Sequence, residues 1–136
     1  MKKVALLRRV DAIQQLLDDL RNDILADDTE EAIEVPGQGP WRRSMIAELK
    51  ANIQHLPGAL ALFDLAAEAA PKWVSYSEIL ERSGLSDRDQ RNEHIRLSWV
   101  TKKLFSGEKI WPVEWAADGE MSYRMLEVVA RWWRES

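Results

Sequence analysis

Residues 75–89 read SYSEILERSGLSDRD, and this stretch decides the fold. Ser75 followed three residues later by Glu78 is a capping box, in which hydroxyl and carboxylate satisfy each other's backbone donors at a helix start. The helix it opens runs through Arg82, and Gly84 stands where a left-handed residue closes a helix. Leu85 follows, and then Ser86 with Asp89 repeats the start signal, with an acid in the first turn where the helix dipole favours it. The second helix is longer and extends to about Phe105. Two capped helices therefore flank a three-residue turn, Ser83-Gly84-Leu85.

Upstream, Trp73-Val74-Ser75 has the composition of a short strand, and Pro71 ends the segment before it. Ala59 to Ala70 is apolar nearly all round, with Leu60, Leu62, Phe63 and Leu65 among six Ala, as expected of a helix surrounded by other elements. Before Pro57-Gly58, the residues Met45, Ile46, Leu49, Ile53 and Leu56 recur at helical spacing, so the domain is expected to begin near Trp41. Downstream of Ser106-Gly107 the period changes to two. Trp111, Val113 and Trp115 alternate with polar residues or Pro112, as do Met121, Tyr123 and Met125. The Asp118-Gly119 turn signal between them predicts a hairpin with one apolar face, held to an edge by Pro112. Leu126, Val128, Val129, Trp132 and Trp133 make a closing helix. Trp111, Trp115, Trp132 and Trp133 are expected to be core.

The first 40 residues differ in character. Leu6, Val10, Ile13, Leu17, Leu20 and Ile24 are spaced 4, 3, 4, 3 and 4 apart, the seam of a coiled coil. Three heptads are marginal alone, so residues 1–26 are expected to form a dimerisation helix. Over 27–40, acidic residues crowd together ahead of Val35-Pro36-Gly37-Gln38-Gly39-Pro40, and the stretch reads as a linker. The domain then occupies 41–136.

Composition narrows the chemistry. The 136 residues are 46% hydrophobic and 31% charged, with seven Trp and no Cys. That is a folded chain without disulfides or thiolate metal sites, and the cytoplasm is its expected location. The apolar run Val4-Ala5-Leu6-Leu7 is too short for a signal peptide or a membrane span. Net charge is -4, yet residues 1–40 hold five Lys/Arg and nine Asp/Glu, whereas 41–136 hold fourteen of each. The domain must be judged by local patches. His55 and His94 are the only histidines and lack metal-site spacing, so no metal is expected and His94 reads as a structural histidine. Gly37-Gln38-Gly39 precedes Pro40 and not a helix, so it is no phosphate loop. No carboxylate pair is singled out for catalysis. Neither a cofactor nor an enzymatic activity is expected.

The order helix, short strand, helix, turn, helix, hairpin over Ala59 to Met125 resembles the winged helix-turn-helix superfamily of bacterial transcription regulators, with a layout like the MarR and PadR types. The resemblance covers about half of the chain and rests on order and capping. It implies a mainly α fold with a small β-hairpin, preceded by the coiled-coil helix. It also implies double-stranded DNA as partner, read by a homodimer through the helix Asp87 to Phe105. On that helix Leu97, Val100 and Leu104 share one face while Arg88, Arg91, Asn92 and Lys102 lie broadly opposite. Arg88, Arg91 and Asn92 would meet base edges, and Arg96, Lys102 and Lys103 phosphates. Two features point instead to a protein partner: Ile95 and Trp99 share the outward side, and the hairpin tip carries Asp118 and Glu120, which would repel phosphate.

Overall fold

The computed structural model describes residues 31–136; the seam predicted on Leu6, Val10, Ile13, Leu17, Leu20 and Ile24 lies outside them. Within them the chain runs β1 (Ile33–Val35), β2 (Gly39–Trp41), α1 (Arg43–Asn52), α2 (Pro57–Ala69), β3 (Trp73–Ser75), α3 (Tyr76–Ser83), α4 (Asp87–Leu104), β4 (Glu114–Asp118), β5 (Glu120–Arg124) and α5 (Glu127–Glu135). The described residues hold five helices and two small antiparallel sheets, β1-β2 and β3-β5-β4. The architecture is mixed α/β, with one sheet more than the single hairpin expected.

The additional sheet corrects the linker reading. Ile33 pairs with Trp41 and Val35 with Gly39, and the Gln38 N–H donates to the Val35 carbonyl at 2.8 Å. Gly37 and Gly39 adopt φ of 75° and 74°, a region that costs glycine little. The Pro and Gly residues thus serve a tight turn. Ile33, Val35 and Trp41 face one way, Val35 and Trp41 being fully buried while Glu34 and Pro40 are exposed. The compact unit accordingly starts at Ala32 and not at Trp41.

The paired-helix turn forms as its caps dictate. Both halves of the Ser75–Glu78 capping box are made, and Gly84 closes α3 in the left-handed region with φ 71°. The Asp89 N–H donates to the Ser86 hydroxyl at 3.1 Å, opening α4. α2 supplies the centre of the core through Ala59, Leu62, Phe63, Ala66 and Ala67. Phe63 meets Trp133 of α5 edge-on, with centroids 5.1 Å apart, and the Trp133 indole N–H donates to Asp64 at 2.8 Å. Trp41 and Phe105 make a second edge-on pair at 5.2 Å. Such pairs add to the area they remove from water.

α4 is fastened to the start of α2 by polar groups. The buried Gln90 amide donates to the Gly58 carbonyl at 2.9 Å, and the Gly58 N–H donates to the Glu93 carboxylate at 2.6 Å. The approach depends on the missing side chain: a Cβ at residue 58 would stand 2.7 Å from Gln90 Oε1, 2.9 Å from Leu85 Cδ1 and 3.0 Å from Glu93 Oε1. Alanine ordinarily stabilises a helix relative to glycine. Here Gly58→Ala is expected to destabilise by about 1–3 kcal/mol, because fully buried Gln90 has no room to retreat. Urea unfolding of the variant checks the sign, and a gain in stability would refute the packing argument.

The three-stranded sheet is set by β5, which pairs with β3 (Val74 with Tyr123) and with β4 (Trp115 with Tyr123). Asp118 opposes Glu120, leaving Gly119 alone at the tip with φ 80°. The hairpin strand starts at Glu114 and not at Trp111. Pro112 has no N–H to give to a ladder, and the Trp111 N–H is taken by the Gln38 side chain at 2.9 Å. Among the four tryptophans expected in the core, Trp132 and Trp133 are buried, Trp111 is partly buried and Trp115 is 50% exposed. Trp115 lies on the face that buries Tyr123 and Val74, but β4 is the sheet's edge and extends past the core. No helix of the described residues is long and apolar enough to cross a membrane.

Candidate nucleic-acid interface

α4 presents its buried side through Gln90, Leu97 and Thr101, with Val100 and Leu104 packed at the core's edge. The opposite side is open. Arg88, Arg91, Asn92, Arg96, Lys102 and Lys103, the six residues expected to meet DNA, are all exposed. At about 100° per residue they fall on one broad arc. Ile95 and Trp99 lie within the same arc, 51% and 62% exposed, so among the described residues neither the hairpin nor a helix covers the apolar pair. The arc carries five cations and one amide, and its nearest exposed acids, Asp87 and Asp89, sit in the first turn on its flanks.

Arg91 is not a free cation at rest. Its Nε donates to the Asp87 carboxylate at 3.0 Å across one helical turn, and both side chains are more than half exposed. The adjacent Asp87 charge pushes the Arg91 guanidinium further up. Solvent-exposed pairs of this kind exchange readily for another anion. The Tyr76 hydroxyl donates to the Asp87 carbonyl at 3.1 Å, tying the start of α3 to the start of α4.

One of the two acids at the hairpin tip is engaged within the fold. The Glu120 carboxylate accepts from the Ser77 N–H at 2.7 Å and from the Ser77 hydroxyl. It thereby satisfies an orphan donor at the N-terminus of α3, where a negative charge is favoured. Asp118 is exposed. On the inward side of the tip, His94 of α4 meets Tyr76, Trp111 and Tyr123 edge-on, with centroids 5.9, 5.3 and 6.0 Å away. The Gln90 amide, which already donates to Gly58, lies 2.9 Å from His94 Nε2. That nitrogen must be the acceptor, so the neutral ring carries its proton on Nδ1. Burial pushes the imidazole down to about 4.

Sequence reasoning did not find the parts played by Glu120, Glu93 and Gln38. Each acts on a backbone group 35 or more residues away, and no local pattern marks such a partner. Comparison with protein families, with curated proteins and with solved structures finds no match.

Proposed function

We propose that the compact unit 32–136 is built on a winged helix-turn-helix domain and that the chain binds double-stranded DNA in a sequence-specific manner, as a homodimer acting in transcription regulation. The order α2, β3, α3, turn, α4, β4, β5 supports the fold assignment, and β3 joins the hairpin in one sheet beside the paired helices. The observation that carries the function is the solvent arc of α4. Arg88, Arg91 and Asn92 stand exposed in its first turns, and Arg96, Lys102 and Lys103 follow. Arg and Asn offer paired donors and acceptors to guanine and adenine edges, while Lys and Arg further along neutralise phosphates. Ile95 in the same arc suits a thymine methyl group. Pairing of two chains through residues 4–26 would present two such helices to a two-fold-related site.

Retention of genomic fragments by the full chain tests this reading. Fragments are expected to bind at about 50 mM salt and to be released steeply as salt rises. If none is retained at low salt, the proposal fails. Exposure of Ile95 and Trp99 favours a second reading, a protein-interaction module that docks a partner through this arc and the hairpin. Under it the Ile95→Ser/Trp99→Ser variant loses the partner, and DNA is not retained at any salt.

A further inference from the structure

On the flank of α4 nearest the connection between α1 and α2 lies an open groove of about 390 Å³, lined by His55, Arg96, Trp99, Val100 and Lys103. Partly buried Val100 packs against the core and makes the floor. Exposed His55, from the α1–α2 connection, closes the groove. Arg96, Trp99 and Lys103 follow one another at intervals of three and four residues. At about 100° per residue they fall within about 60° of one another. The indole therefore stands between two cations on a single stripe, about 10 Å long.

Trp99 is the most exposed large apolar side chain among the described residues, and none of them engages its ring in an aromatic or cation contact. Such an indole forgoes the gain that burial of its surface would bring. Neither Arg96 nor Lys103 makes an ion pair among the described residues, in contrast to Arg82, Arg91 and Arg124. No Asp or Glu lines the groove. Unmatched cations on either side of a free aromatic face complement a flat ring that carries anions. Paired bases of a duplex do not fit that description, because their faces cover one another and the major groove offers only their edges. A base in a single strand exposes its face and hangs between two phosphates.

We propose that this groove binds single-stranded nucleic acid, an unpaired base stacking on Trp99 while the phosphates on either side of it meet Arg96 and Lys103. Both cations sit on long flexible stems, so the indole sets the position of the base and the phosphates adjust to it. Every base has a face to stack, and little sequence preference is expected. The inference goes beyond the base reading by Arg88, Arg91 and Asn92, none of which lines the groove. Arg96 and Lys103 serve phosphates in both.

Fluorescence anisotropy of labelled oligothymidylate, titrated with the full chain at about 50 mM salt, tests the groove with no duplex present. Saturable binding is expected, and an oligomer of the same length whose sugars carry no bases should bind about tenfold more weakly. Trp99→Ala should weaken oligothymidylate about tenfold and leave the base-free oligomer unchanged, whereas Trp99→Phe, which keeps a ring, stays within about threefold of the wild type. The double variant Arg96→Gln/Lys103→Gln should weaken both oligomers alike and lower the salt slope by about 0.7 for each lost phosphate contact. All three side chains are exposed, and a wild-type thermal midpoint in each variant verifies folding. Absence of saturable binding up to about 0.5 mM protein overturns the proposal. So does equal affinity of the wild type for the two oligomers, or wild-type affinity for oligothymidylate in Trp99→Ala or in the double variant. A chain that retains duplex fragments yet fails here overturns this inference alone.

Discussion

Replacing Arg88, Arg91 and Asn92 together by alanine is expected to lower affinity for a specific DNA fragment by about two to four orders of magnitude, with no change in the urea unfolding midpoint. Each well-formed contact from such a side chain to a base edge discriminates by about 1–3 kcal/mol, and every 1.4 kcal/mol is about tenfold. Stability is untouched because all three side chains are exposed. The interactions removed lie at the open start of the helix: the Arg91–Asp87 pair and the contact of Arg91 with the Tyr76 hydroxyl. A contrast sharpens the result. Lys102→Gln and Lys103→Gln should weaken specific and non-specific DNA about equally and reduce the salt slope by about one per lost phosphate contact. Ile95→Ala belongs with the base readers, its loss confined to sites bearing a thymine methyl. Should the triple variant bind its fragment as the wild type does, α4 is not the reading helix. The exposed Trp99 and Ile95 would then belong to a protein contact.

What the sequence disclosed, and what it withheld, divides by the range of the physics. Capping is local, so Ser75 with Glu78, Gly84, and Ser86 with Asp89 announced the helix ends that the structure displays. Helical periodicity is local too, and it separated buried Leu97 from exposed Arg88 and Lys102. Composition over a window misled at 32–40. Pro36, Gly37 and Gly39 suit either a tether or a turn, and the choice was made by Val35 and Trp41, which bury against a core assembled from later residues. Alternation misled at Trp115, because a strand pattern identifies the inward face without telling how far the core reaches beneath it. The side of the candidate interface that faces the hairpin was the least legible part. Glu120 reads as an unengaged surface charge until Ser77, 43 residues earlier, is brought to it. The arc of α4 was legible because a single helix carries all of it.

His94 should make stability depend on pH in a window where few other groups titrate. Burial beside Tyr76, Trp111 and Tyr123 pushes the imidazole from its ordinary 6.5 to about 4, so the folded chain resists a proton that the unfolded chain accepts. Between those values the unfolded state binds more protons, and stability therefore rises with pH. The contribution is complete above about 6.5 and is lost as pH falls through about 4. For a depression of this size the loss between pH 7 and pH 5 is about 2 kcal/mol, before most carboxylates begin to protonate. Urea unfolding at both pH values measures it. His94→Gln keeps an acceptor for the Gln90 amide but cannot titrate. That variant is expected to lose about 1–2 kcal/mol at pH 7, from the forfeited ring contacts, and to show little further loss at pH 5. An imidazole resonance from His94 that shifts with a midpoint near 6.5 would contradict the buried, neutral ring. So would a wild-type stability that is flat from pH 7 to pH 5.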